Sequence, residues 1–362
     1  MQSTDVVIAG GGFAGLACAK ALAEAGLSVT VLERKKAPGV GMHTTGIIVK
    51  ECADEFAIPD YITRKVTDVR LYAPSLRFVH LKSPDYFFLT TDTPELMRFL
   101  SEEAVRAGAT ILYDTAYGSA TQSGDQIIVH SAESHYEPTA SFSCRFLIGA
   151  DGPRSKVADD FKLGQNTEFL LGAEAEYKGL ALPDNKAFYC FLDQKLAHGY
   201  LGWVIPGVGV TQVGIAQRLP RKPDIDAFVN RMGGTFDFSH AQVTARRGGL
   251  IPVGGLVKPF ASGNVILLGD SAGIVSPLTA GGIHTALHYG KVLGETIALH
   301  LLRSGKHPTL LLSRIYPRFF IKQMLRKSYE TLAPDWLLDV ILTNPFFTSL
   351  ANIVFFKKKH LK

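Results

Sequence analysis

The segment "VVIAGGGFAGLACAKALAEAGLSVTVLERK", residues 6–35, limits the fold more than any other stretch of the chain. Val6–Gly10 is a short apolar run. Gly12–Ala25 carries Leu16, Ala19 and Leu22 at helical spacing and stops at Gly26. Val29–Leu32 is a second buried run, and Glu33 follows it. Strand, glycine turn, helix and strand in this order make a βαβ unit, which predicts a parallel sheet with a right-handed crossover. Inside it, Gly10-Gly11-Gly12-Phe13-Ala14-Gly15 fits GxGxxG. Gly10 permits the tight turn, Gly12 lets backbone approach a pyrophosphate, and Gly15 lets helix and strand pack closely. The helix head offers N–H groups and a partial positive charge to phosphates. An acid at Glu33 suits a ribose diol and disfavours a 2′-phosphate, so the expected ligand is a dinucleotide other than NADP.

The rest of the chain departs from this unit and returns to it. A Gly-rich loop, 37–47, precedes strand-like "VRLYAP", "RFVHL" and "YFFLT". Thr93 is expected as N-cap and Pro94 as the first residue of a helix that Gly108 ends. "ATILYD", "QIIVHS" and "CRFLIGAD" read as strands. From about 165 to 250 the pattern is β-rich, with one short helix near 224–232. A buried strand, "NVILLGD", then leads into a long helix over 281–302, and an Arg/Lys-rich helix is expected over 308–328. The reading is a discontinuous nucleotide domain, 1–165 and 245–305, with strands near 66–90 contributing to a β-rich substrate domain at 166–244. A helical, basic and apolar segment, 306–362, follows. A length of 362 residues with 46% hydrophobic and 20% charged residues supports two such units and argues against wholesale disorder.

Charge and cysteines exclude several classes. The net charge of +5 is concentrated in part in the tail "FFKKKHLK", which suits an anionic lipid surface better than a nucleic acid. No two of Cys18, Cys52, Cys144 and Cys190 form a CxxC pair, so no metal site or disulfide framework is expected. The N-terminus enters a strand at once and has no secretory pattern, which predicts a cytoplasmic chain, peripheral on the inner face of a membrane if the tail docks there. The apolar stretch 336–356 is interrupted by Asp339, Asn344 and Pro345. A spanning helix wants roughly 20 unbroken apolar residues, so two short helices are expected instead.

Two later segments choose the dinucleotide. "FLIGADGPRSKV" puts Asp151-Gly152 after a buried strand. "NVILLGDSAGIVSPLTAGGI" puts Gly269-Asp270 after another, then a proline and a double glycine. The second acid suits ribitol hydroxyls. The Pro277–Ile283 loop opens a helix whose N–H groups would stabilise negative charge on a reduced flavin. GxGxxG, then DG, then GD resembles the FAD-dependent hydroxylase superfamily typified by para-hydroxybenzoate hydroxylase. "GDSAGIVSPLTAGGI" and "FYCFLD…GYLGWVIP…VGIA" are most similar to its geranylgeranyl reductase branch. The resemblance covers about residues 4–300. It implies an α/β fold: a Rossmann-like, glutathione-reductase-type FAD-binding domain with an inserted β-sheet substrate domain and a C-terminal helical segment.

The resemblance further implies FAD contacts from Gly10, Gly12, Ala14, Gly15, Glu33, the 41–47 loop with Thr44, Ala116, Asp151, Gly152, Gly269, Asp270, Pro277, Gly281, Gly282 and Ile283. The family's arginine before the second helix is replaced by Thr93, leaving Arg98 as its stand-in. Where archaeal relatives carry a cysteine in the 41–47 loop, this chain has His43. The family's Tyr-x-Trp becomes Tyr200-x-x-Trp203, with Leu201 in the tyrosine's place.

The implied activity is FAD-dependent reduction of carbon–carbon double bonds in a prenyl substrate. Tyr200 and Trp203, with Phe188 and Phe191, would line an apolar tunnel. NADPH or reduced ferredoxin would supply electrons. With no second GxGxxG, NADPH would bind only transiently. His43, His284 and Tyr200 are candidate proton donors. Two other chemistries share the pattern. A flavin monooxygenase would carry histidine after the GDxA segment, where this chain has Gly273. A halogenase would carry Trp-x-Trp-x-Ile-Pro, of which Trp203-x-Ile205-Pro206 is kept. A membrane-surface flavoprotein passing electrons to a quinone or a partner protein is a third.

Overall fold

A computed structural model describes residues 1–132, 139–332, 334–342 and 344–356. Its centre is a six-stranded sheet in the order Ala261–Ser262, Val265–Leu267, Phe146–Gly149, Val6–Ala9, Val29–Leu32, Thr110–Leu112. All pairs are parallel except the short edge pair Ala261–Ser262 with Val265–Leu267. Val6–Ala9, Val29–Leu32 and Phe146–Gly149 are buried throughout, as continuous apolar runs in a parallel sheet must be. The helices Phe13–Glu24 and Ile283–Arg303 lie against one another beside this sheet. Their contact depends on Gly290 and Gly294, where any Cβ would press on the backbone of Ala14 and Cys18.

A seven-stranded sheet forms the second layer, in the order Gln242–Pro252, Phe169–Lys178, Thr211–Arg218, Gly202–Pro206, Ala187–Phe191, Asp68–Tyr72, Phe78–Lys82. Two of its strands thus come from the 66–90 region. Its edge strand Gln242–Pro252 pairs continuously past residue 244, with one irregularity at Glu176/Tyr177. The third strand-like segment of the 66–90 region goes elsewhere. Phe88–Thr91 is the middle of a small sheet with Ile47–Val49 and Thr63–Val66, which carries the chain from the glycine-rich loop toward the large sheet. A four-stranded sheet, Gln2–Ser3, Ser141–Cys144, Gln126–Ser131 and Tyr117–Ser123, flanks the centre.

Two local expectations are corrected. Asp92, not Thr93, caps the helix Thr93–Arg106: its carboxylate accepts the Glu95 N–H at 3.1 Å, and Thr93 is the first helical residue. The carboxylate is a stronger acceptor than a hydroxyl and wins the position. The expected single helix over 308–328 is two, Pro308–Ile315 and Phe320–Leu332. Pro317 lies in the break, where it has no N–H to continue the first helix. The short helices Asp335–Leu342 and Pro345–Phe356 close the described chain. Among the described residues no helix is long and apolar enough to cross a membrane. The basic cluster of 357–362 lies outside them.

Candidate cofactor and substrate site

The turn between Val6–Ala9 and Phe13–Glu24 is built as its spacing predicts. Gly10 has φ +104°, and a Cβ there would overlap the Ala150 carbonyl. A Cβ at Gly15 would overlap the Gly10 carbonyl. Gly12 caps the helix without a side-chain bond and faces open space, so the first helical N–H groups, near Ala14, are free for an anion. Glu33 folds back on this turn. Its Oε2 accepts the Gly11 N–H at 2.7 Å and its Oε1 accepts the Lys35 N–H at 2.9 Å. The acid therefore holds the glycine loop itself while keeping lone pairs for a ribose. The Glu33 carbonyl accepts the Thr115 N–H at 2.9 Å, which brings Ala116 alongside.

The second half of the site comes from the far end of the chain. Gly269–Ala272 is a 3-10 turn directly after Val265–Leu267, and Gly269 packs on Ala14. Asp270 is thereby set beside the first helix head. Burial pushes its carboxyl up to about 6, and among the described residues no hydrogen bond to it offsets this. Next to Asp270 stands Gly282, the N-cap of Ile283–Arg303, again without a side-chain cap. The loop before it is tied by Ala280 N–H to Ser276 O at 2.8 Å and Ser276 N–H to Gly281 O at 3.1 Å. Gly10, Gly12, Ala14, Gly15, Glu33, Ala116, Gly269, Asp270, Pro277, Gly281, Gly282 and Ile283 thus converge at the carboxyl edge of the parallel sheet. Ligands of open α/β sheets bind at that edge.

Other expected residues make their bonds within the chain; Asp151 among them stands at this same edge, where a Cβ on Gly10 would meet its Cα at 3.1 Å. Both carboxylate oxygens of Asp151 are occupied, by Ser155 Oγ at 2.6 Å and by the Lys156 and Val157 N–H groups at 2.7 and 3.1 Å. Ser155 is the N-cap of the helix Lys156–Asp160, Asp151 accepts the first two N–H groups of that helix, and Gly152, at φ +90°, turns the chain. Arg98 pairs with Glu95 on its own helix, on a surface where both side chains are largely solvated. Thr44 is half-buried in a loop that its neighbours fix to the large sheet. His43 Nδ1 meets Gly248 O at 3.0 Å, and Thr45 Oγ1 donates to Glu174 at 2.5 Å.

The three proton-donor candidates are all committed in this conformation. The Tyr200 hydroxyl donates to Thr279 O at 2.7 Å, and burial holds it protonated far above its ordinary range. His284 lies 3.5 Å from Glu55; burial lowers its pKa, against the pull of that carboxylate. His43 is exposed against a backbone carbonyl.

Strand alternation sorts the aromatic candidates. Phe188, Cys190, Trp203 and Ile205 share one apolar cluster with Phe88 and Leu170, and Tyr200, Leu201 and Ala280 pack against it. Phe191, an odd step from Phe188, faces the opposite side. It stacks on Tyr72 at 4.5 Å and meets Phe228 at 5.7 Å, so it does not line the same wall.

A buried polar network lies behind Trp203 and was not anticipated. Trp203 Nε1 donates to Glu174 at 2.8 Å, Arg247 donates to the same carboxylate at 2.7 Å, and Arg247 also pairs with Glu176. The alternating acids of "AEAEY" are its one sequence signal. Asn166 is a second unanticipated residue: its amide donates to Asp270 O at 2.8 Å and Pro153 O at 3.1 Å, joining the two acid-bearing turns.

Residues 3–314 match the family model described as FAD binding domain. The chain belongs to that family. FAD fits the two uncapped helix heads, the Glu33 carboxylate and the unpartnered Asp270 just described. The chain is similar to digeranylgeranylglycerophospholipid reductase 2 of Methanosphaera stadtmanae, 28% identical over 325 residues, 85% of this chain and 80% of the relative. It is also similar to geranylgeranyl diphosphate reductase of Rhodobacter capsulatus, 29% identical over 319 residues, 86% of this chain and 78% of the relative. Among solved structures, a geranylgeranyl bacteriochlorophyll reductase-like protein from Thermoplasma acidophilum superposes with a TM-score of 0.86. The identity there is 18%, with 99% of this chain and 98% of that one covered, and it shows the same fold.

Proposed function

We propose that this FAD-binding chain reduces carbon–carbon double bonds of a prenyl lipid. The observation that carries the reading is the continuous apolar cluster on the large sheet, which holds Phe188 and Trp203 and against which Tyr200 and, from the Pro277–Gly282 loop, Ala280 pack. Two relatives are named as reductases of geranylgeranyl compounds, and their names support the same substrate class. FAD, when bound and reduced, supplies the hydride for an alkene. The chain's own part is to hold and orient. An isolated alkene offers no polar handle, so the rate depends on packing the chain against the correct atom. Phe188, Trp203 and Ile205 form the wall, and Leu342 and Phe356 of the tail close it from outside. A groove of about 550 Å³, lined by Ala73, Phe78, Val79 and Leu342 and equally by polar side chains such as Arg77, Asp339 and Thr348, runs along the outer edge of this cluster and would take the rest of a long chain on its apolar side. The helix head at Gly282 would hold negative charge at the ring.

The tail supports a lipid surface as the source of substrate. Phe320, Ile321, Met324, Trp336, Val340, Phe346 and Ile353 are exposed on three successive helices, Phe320 at 74% and Trp336 at 68%. The acids of this segment point inward. Asp335 accepts the Gln194 N–H at 2.8 Å, Asp339 accepts the Ser75 N–H at 3.0 Å, and Glu330 pairs with Arg326. Arg314, Arg318 and Lys327 remain exposed. An apolar face with a cationic border matches an anionic bilayer.

The deciding experiment reduces the FAD-loaded protein with dithionite and supplies geranylgeranyl lipids with and without oxygen, reading product masses. Gain of hydrogen pairs without oxygen is expected. Gain of an oxygen atom in air only would replace the reading with a monooxygenase. Unchanged lipid with flavin reoxidised by a quinone would replace it with an electron carrier.

A further inference from the structure

The loop Ser276–Gly281 is held from a direction that the nucleotide fold does not supply. Arg326, on the helix Phe320–Leu332, is 3% exposed. Its guanidinium donates to Pro277 O at 2.9 Å and to Gly199 O at 3.0 Å, and pairs with Glu330 at 2.8 Å. One turn on, the Tyr329 hydroxyl donates to Tyr200 O at 2.8 Å, and the Tyr200 hydroxyl in turn donates to Thr279 O. One helix therefore fixes two carbonyls of the loop, one directly and one through Tyr200, and ties both to the turn at Gly199–Tyr200 that precedes the strand Gly202–Pro206. A planar, permanently charged fork is the side chain suited to bridging two carbonyls at fixed separation. Burying it is worthwhile only where those bonds are made, because an unpaired buried charge is costly. The helix lies beyond the residues that match the FAD binding domain family.

We propose that Arg326 is a positioning residue for the flavin end of the site, setting the Pro277–Gly282 loop, and with it the helix head at Gly282, against the large sheet. The proposal rests on the reading that this loop faces the flavin. Ala280, at φ +49°, is the loop's one left-handed non-glycine residue, a conformation that persists only where its surroundings enforce it. Glu330 balances the charge and is not the agent: the carbonyl contacts belong to the guanidinium.

The test compares the FAD-loaded protein with the double variant Arg326→Gln, Glu330→Gln, which strands no charge, and with Glu330→Gln alone, which keeps the fork. Amide hydrogen exchange is followed across the chain, together with the visible spectrum and midpoint potential of the bound flavin. In the double variant, exchange over 276–281 is expected to rise about tenfold or more, the loss of two charge-assisted bonds, while Phe13–Glu24 stays protected. The spectrum and potential are expected to shift, whereas Glu330→Gln alone, which leaves the buried guanidinium without its counter-charge, is expected to lower global stability with loop exchange, spectrum and potential close to the parent. Unchanged loop exchange would overturn the proposal and leave the prenyl reductase reading intact. Faster loop exchange with an unmoved spectrum and potential would show that the loop does not face the flavin, overturning the proposal through the reading beneath it. Should the double variant fail to fold, Arg326→Lys keeps the charge opposite Glu330 and loses the fork that bridges Pro277 O and Gly199 O. Parent-like loop exchange in that variant would also overturn the proposal.

Discussion

Asp270 gives the sharpest quantitative prediction. Its carboxyl rises from an ordinary 3.8 to about 6 on folding, through burial alone. At roughly 1.36 kcal/mol per pH unit, a charged Asp270 destabilises the FAD-free fold by about 3 kcal/mol once both states are ionised. The sign follows from proton counting. Between 3.8 and 6 the folded state binds more protons than the unfolded state, so stability falls as pH rises through this window and levels off above it. Asp270→Asn removes the ionisation. The FAD-free variant should be more stable than the parent by about 3 kcal/mol at pH 8 and by about half that at pH 5. For a chain of 362 residues this is roughly 4 °C and 2 °C in Tm. Calorimetry of both proteins at the two pH values is the assay. The same substitution should weaken FAD retention, on the reading that the Asp270 carboxylate would hold the ribitol hydroxyls. A pH-independent difference, or a less stable variant at pH 8, would refute the reasoning that burial of an unpartnered carboxylate sets the site's electrostatics.

Three further perturbations separate structure from chemistry. Glu33→Gln keeps one acceptor for the backbone N–H groups of Gly11 and Lys35 and loses the charge; FAD affinity measured by titration should fall about tenfold or more, and parent-like affinity would mean that the glycine turn holds its shape unaided. Trp203→Phe deletes the bond to Glu174 and should lower stability by about 1–3 kcal/mol in denaturant unfolding; turnover on long-chain substrates should drop more than flavin content, and an equal fall in both would make Trp203 a core residue only. Phe320→Ser with Trp336→Ser should abolish sedimentation with anionic vesicles, since each exposed ring contributes about 1.5–3 kcal/mol on transfer to an apolar phase; undiminished sedimentation would remove these helices from the lipid contact.

How far the sequence could be read depended on the range of the interaction. The glycine turn, the strand ending at Glu33 and the Gly269-Asp270 turn are local patterns, each fixed by the identity of a few adjacent residues. They lead to the same sheet edge because parallel strands can be joined in few ways. The cap at Asp92 was missed by one residue, where two capping side chains stand side by side. Asp151 shows a different limit. "GADG" reads as a ligand turn, and the sequence does not show that its carboxylate also serves locally, accepting from Ser155 Oγ on one oxygen and from the first two N–H groups of a five-residue helix on the other. Arg326 was not legible at all, because its partners lie 49 and 127 residues away and nothing in "KQMLRKSYE" distinguishes an inward arginine from a solvated one.

These limits bear on where the catalytic specificity of this fold resides. The dinucleotide half is encoded by short motifs and lies within the residues that match the family. The apolar cluster is so only in part: its wall comes from strands of the large sheet inside that match, while Leu342 and Phe356 belong to the same cluster and lie outside it. The helix that carries Arg326 joins the two halves, with its inner face on the Ser276–Gly281 loop and its outer face, Phe320, Ile321 and Met324, in solvent. On the proposed reading, the tail bears on substrate access, loop position and lipid contact at once. A change in the tail that alters the substrate accepted would have to pass through contacts that also set the loop, so specificity and flavin environment should vary together among variants of residues 320–356.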